Sequence, residues 1–181
     1  MSGELTTALV SVIIGGALAL VGSFLSNRAS QARLKFQIEH DSCQKKRDLL
    51  LERGEELYGL TDKWLNYLFE HTLNILSVMQ GKLTYNQSLD LDIEAGKNIS
   101  MNFARIQLLI DIYFPSSRKA YDSILKERDK INAIEATHKR AYRNGDIDGT
   151  SFLPAYLKKQ NSLEKAGEVF KNQLIECIRT I

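Results

Sequence analysis

The chain has 181 residues, with 24 Lys and Arg against 22 Asp and Glu, a formal net charge of +2, and 44% apolar residues. This near-balance gives no electrostatic case for nucleic acid, and the ordinary apolar fraction excludes a disordered or low-complexity chain. Only Pro115 and Pro154 interrupt the backbone, a scarcity that points to long helices and an all-α fold.

The first element is the run Leu5 to Leu25, LTTALVSVIIGGALALVGSFL, with no charged residue between Glu4 and Arg28. As a helix it reaches about 30 to 35 Å, the thickness of a bilayer's hydrocarbon core. The pattern predicts a short extracytoplasmic tail over 1–4 and a transmembrane helix over 5–27. A secretory signal would begin with basic residues, whereas this chain begins Met-Ser-Gly-Glu. Arg28, Arg33 and Lys35 crowd the far flank. Positive residues stay inside, so the expectation is a single-pass protein of the bacterial inner membrane, N-terminus outside and C-terminal domain cytoplasmic. Ala8, Ser11, Gly15, Ala19, Gly22 and Ser26 recur every three or four residues. Such a small-residue stripe is a face for transmembrane self-association, so the lipid bilayer and a second copy are the expected partners. The run holds no ionisable side chain, and a single such helix carries no ion path.

Residues 28–48 read as a basic juxtamembrane stalk helix. Arg28, Arg33, Lys35, Lys45, Lys46 and Arg47 stand against Glu39 and Asp41 between Arg28 and Arg47. Next to anionic lipid each such group is worth about 1 kcal/mol, so these six are expected lipid contacts, with a solvated helix face as the competing reading. Ala29, Ala32, Phe36, Cys43, Leu50, Leu57, Trp64, Leu68, Ile75 and Met79 follow at steps of three, four or seven. That is a coiled-coil type of stripe running without a break to Met79. From Leu49 the apolar density exceeds what a solvated helix tolerates, and a cytoplasmic helical bundle over 49–181 is expected. Gly54 and Gly59 each cost roughly 1 kcal/mol against Ala, which predicts a bend or a close helix approach.

GKLTYNQ, Gly81 to Gln87, reads as a glycine stop and polar turn. A second helix is expected from Ser88 or Asp92, with Ile99 to Phe114 as a buried central segment too short to cross a bilayer. Pro115 pushes Phe114 out of helical dihedrals. The third helix is expected from Ser116 or Ser117 to Asn144, then a loop through Gly149, and the last helix from Thr150 or Ser151 with Pro154 in its first turn. An N-terminal transmembrane helix that continues as a stalk into an antiparallel bundle of about four helices is the predicted architecture.

Chemistry is thinly encoded. Cys43 and Cys177 lie far apart without a C-x-x-C pattern and read as free thiols in a reducing compartment. His40, His71 and His138 sit on separate segments, and His71 has no acid or thiol one helical turn away. Glu39-His40-Asp41 cannot converge on one ion from a helix. Asp90, Asp92 and Glu94 alternate without the glycine or terminal glutamate of a calcium loop, and read as a helix cap. No phosphate-binding, nucleophile-elbow or dinucleotide motif occurs. No catalytic residue, cofactor or metal ligand is therefore expected.

The stretch Arg47-Asp-Leu-Leu-Leu-Glu-Arg-Gly-Glu-Glu-Leu-Tyr58, then Trp64, and later Arg105-Ile-Gln-Leu-Leu-Ile-Asp-Ile-Tyr-Phe-Pro115, resembles a loose, largely uncharacterised group of small bacterial and prophage proteins with one N-terminal span and a helical cytoplasmic domain. The resemblance implies a setting in mobile elements, phage defence or toxin and antidote neighbourhoods, and carries over no catalytic residue. The expected function is a membrane-anchored protein-interaction module, an accessory or antidote to a protein encoded nearby. The alternatives are an oligomerising, membrane-disrupting effector held by its own bundle, and an enzyme without a recognisable motif.

Overall fold

The computed structural model describes residues 2–97 and 102–180, the side chains of residues 2–15, 17–21, 25 and 29 excepted. Five α-helices follow one another: α1 (Ser2–Met79), α2 (Tyr85–Lys97), α3 (Phe103–Tyr113), α4 (Arg118–Arg143) and α5 (Leu153–Arg179). Single 3-10 turns over Pro115–Ser117 and Thr150–Phe152 lead into α4 and α5. Among the described residues there is no strand.

The chain divides into two units, Met1–Asp48 and Leu49–Ile181. In the first, only α1 is present, and every described side chain from Gly22 to Asp48 is exposed, Phe24, Leu34, Phe36 and Ile38 among them. Among the described residues no helix is long and apolar enough to cross a membrane. This finding overturns the expected inner-membrane, single-pass placement, with its transmembrane helix over 5–27 and its outer tail. Apart from Gly16, the described side chains of α1 begin at Gly22, and from Arg28 onward a charge interrupts the apolar residues every few positions, so this stretch of described side chains assembles no apolar length that could span a bilayer. Of the self-association stripe, the side chains of Ala8, Ser11, Gly15 and Ala19 lie outside the described residues. Gly22 and Ser26 are exposed, and a Cβ added at Gly22 would meet nothing within 4 Å. The six basic residues proposed as lipid contacts, Arg28, Arg33, Lys35, Lys45, Lys46 and Arg47, are exposed on α1.

The second unit is a helical bundle, and side-chain pairs fix the direction of each leg. Asp92 of α2 meets His71, Phe103 of α3 meets Trp64, and Arg105 meets Glu56, so α2 and α3 descend along the rising end of α1. Tyr121 of α4 meets Trp64 and Glu135 meets His71, so α4 rises again. On α5, Gly167 faces Leu65 and Lys171 bonds Asp62, so α5 descends. Local chemistry explains the breaks. Gly81 takes a left-handed φ of +69° and closes α1. Asn102 caps α3 by accepting the Arg105 N–H at 2.9 Å. Pro115 ends α3 through its effect on Phe114, and Pro154 sits where the first turn of α5 needs no N–H.

The core forms around Trp64, 1% exposed, whose ring lies edge-on to Phe103 at 5.8 Å and beside Tyr121 at 5.6 Å. Leu57, Ile75, Met79, Ile124, Phe170 and Leu174 are among the other residues buried in it. At Gly54 a Cβ would sit 2.5 Å from Ile178 Cδ1 and 3.3 Å from Phe114 Cζ, so this glycine is a close approach of helices, whereas Gly59 has nothing within 4 Å. Two expectations change here. The second leg is two helices, α2 and α3, and the segment read as wholly buried shows one buried face only: Ile106, Leu109, Ile110 and Phe114 are buried while Ile112 is 63% exposed. A helix of 11 residues on the outside of a core can bury one stripe, however apolar its other side is.

Candidate functional site

His71 lies in the last turns of α1 and projects between two other helices. Its Nδ1 is 2.8 Å from Asp92 Oδ2 on α2 and its Nε2 is 3.1 Å from Glu135 Oε2 on α4. Asn74, nearly one turn further on, donates to the other Asp92 oxygen at 2.9 Å. The imidazole is about three-quarters buried, and the Glu135 carboxylate, with Asp92 beside it, raises its pKa from 6.5 to about 9 against the opposing effect of burial. At neutral pH His71 is therefore an imidazolium donating from both nitrogens to two carboxylates. A ring with neither nitrogen open holds helices together and cannot take a substrate proton.

A second polar contact adjoins it. Tyr85 at the start of α2 reaches His138 Nδ1 on α4 at 2.8 Å, with the Glu135 carbonyl 3.5 Å from its hydroxyl. His138 is fully buried, burial pushes its pKa down, and Nε2 has no partner among the described residues. The neutral tautomer with the proton on Nδ1 fits this best: Nδ1–H donates to the Tyr85 oxygen, the hydroxyl donates to the carbonyl, and a lone pair rather than an N–H is left over. Gly149 closes the site, since a Cβ there would fall 2.6 Å from both His138 Nε2 and Met79 Cα. Burial also raises the Tyr85 and Tyr156 phenols. Together these contacts pin α2, whose own packing is slight: of its 13 residues only Ser88 is buried. The acids Asp90, Asp92 and Glu94 thus lie within the body of α2, and Asp92 anchors it instead of capping it.

On the other side of α1, α5 leaves a groove of about 290 Å³ floored by Leu65, Leu163 and Gly167 and lined as well by Phe69, Glu164 and Glu168. Phe69 is 45% exposed there. At the α3 end, Arg105 clasps Glu56 with both nitrogens, Nε to Oε1 at 2.6 Å and Nη2 to Oε2 at 2.7 Å. That fork lowers the Glu56 pKa to about 2, with Arg53 adding a third bond.

Sequence reasoning missed the His71 cluster because its members are 21 and 64 residues apart and share no local pattern. The three histidines do not converge: His40 stacks on Phe36 with ring centroids 6.4 Å apart, and His71 and His138 serve separate contacts. Cys43 and Cys177 are both free thiols. Among the described residues no group of three or more His, Cys, Asp or Glu is placed to hold a metal ion. The chain matches no family model, no curated protein and no solved structure.

Proposed function

We propose that the protein is a helical protein-interaction module whose bundle receives an apolar side chain of a partner protein in the groove between α1 and α5. The single observation that carries this reading is Phe69, 45% exposed over a floor of Leu65, Leu163 and Gly167. At about 290 Å³ the groove lies just below the range of about 300–1,000 Å³ that small-molecule sites occupy, and suits the side chains of a docked segment. Glu164, Glu168 and Lys171 also line it, and Lys171 is paired with Asp62 at 2.9 Å, so the two glutamates favour a basic residue next to the apolar anchor. The resemblance of the stretches from Arg47 to Tyr58 and from Arg105 to Pro115 to prophage-encoded helical proteins supports an accessory or antidote role for such a module.

Panning a displayed peptide library against the full chain tests the reading. Enriched peptides should pair an apolar anchor with a Lys or Arg, and Phe69→Lys should weaken them about tenfold or more, a loss of about 1.4 kcal/mol. No enrichment, or peptides indifferent to Phe69→Lys and to Glu164→Lys with Glu168→Lys, would remove the groove as the binding surface.

A further inference from the structure

In the first unit the helix presents a narrow apolar face in which Ala32, Phe36 and Cys43 follow at steps of four and seven, with Phe36 73% exposed. We propose that this face docks an acidic amphipathic helix of a partner protein. Residues at steps of seven line one side of a helix, and the rows just before and just after them flank any partner packed there. One flanking row is Arg28, Lys35 and Ser42, and the other is Arg33, His40 and Arg47. Neither row contains an acid. Asp41 and Asp48 fall at the positions that point away from the seam, while Glu39 and Lys46 lie within it.

The same rows argue against a second copy. A parallel pair would set Arg28 against Arg33 of its twin, with no acid in either row to offset it. An antiparallel pair would set each row against itself. Rows with basic residues and no acid select against self-pairing and for a partner whose flanking rows are acidic. Phosphate backbones would satisfy the charges but leave Phe36 in water. An anionic lipid surface would meet the same basic rows, but the step of seven from Phe36 to Cys43 between those rows matches the repeat of a helix packed along the seam, and vesicles form a separate arm of the test. This surface belongs to the first unit and does not depend on the α1–α5 groove of the second.

The test titrates the full chain into two labelled peptides of about four heptads with Leu at the seam, one carrying Glu and the other Lys in both flanking rows. Fluorescence anisotropy should show the Glu peptide binding at least about tenfold tighter than the Lys peptide, an advantage that shrinks as salt is raised toward about 1 M. Phe36→Ala should weaken the Glu peptide. The triple variant Arg33→Glu, Lys35→Glu, Arg47→Glu should reverse the preference, with far-UV circular dichroism checking that its helix content is kept; the salt dependence reads the same charge pairing without any substitution. The proposal falls if the two peptides bind alike, if neither binds, if the triple variant does not reverse the order, or if Phe36-dependent dimers form. It also falls if phosphatidylserine vesicles displace the Glu peptide from this face.

Discussion

His71→Gln removes a cation that ties α1 to both α2 and α4, and its effect can be worked from the geometry. A histidine whose pKa rises on folding from 6.5 to about 9 contributes about 1.4 kcal/mol for each unit of the rise, or about 3 kcal/mol at full protonation. Its side chain is 25% exposed, and near pH 7 the unfolded imidazole is already mostly neutral, so about 2 kcal/mol is the expected loss at that pH. The sign follows from the raised value. The contribution is complete below about pH 6.5, and it drains away as pH climbs through about 9. Urea unfolding of wild type and His71→Gln, followed by circular dichroism at intervals between about pH 6 and 10, reads the difference directly. Because cysteine, lysine and tyrosine also titrate in alkali, the quantity to follow is wild type minus variant. That difference should be about 2 kcal/mol near neutrality and close to zero at pH 10. Hydrogen exchange should show the α2 amides losing protection first, since Ser88 is the only buried residue of that helix. A difference that is absent at pH 7, or that grows between pH 7 and 10, would refute the reading of His71 as a charged staple.

Trp64→Ala should cost about 3–5 kcal/mol by urea unfolding, because it empties the space between Phe103 and Tyr121 at the centre of the core. Gly149→Ala drives a methyl group to 2.6 Å from the Met79 backbone and should cost about 1–3 kcal/mol in the same assay, while Gly59→Ala, with open space around it, should stabilise by up to about 1 kcal/mol. Glu56→Gln should flatten the acid limb of the wild-type stability curve: a carboxyl lowered from 4.5 to about 2 by Arg105 adds stability that is present above about pH 4.5 and is lost as pH falls toward 2. Unfolding midpoints between pH 2 and 5 check that loss.

Local covalent and periodic rules carried much of the fold. The seven-residue steps through Leu57 and Trp64 mark residues that the structure buries, because a helix repeats its facing side on that period whatever it packs against. Pro115, Pro154 and Gly81 mark breaks for reasons intrinsic to their backbones. The apolar run at the front was legible as composition, but the membrane placement drawn from it is overturned, since among the described residues no helix is long and apolar enough to span a bilayer. The split of the second leg was illegible for a similar reason: residues 99–114 look uniformly apolar, and only the position of α3 at the edge of the core leaves Leu108 and Ile112 outside.

By itself the sequence determined that this chain is helical, where most of its helices stop, and which side of α1 carries Leu57, Trp64 and Ile75, since these follow from propensity, period and backbone chemistry within a few turns. The tertiary structure alone decided that His71, Asp92 and Glu135 meet, that Arg105 clasps Glu56, and that Phe69 stands open beside Gly167. Such meetings join residues tens of positions apart. Packing in three dimensions selects them, and no nearest-neighbour pattern along the chain records which helices will lie side by side.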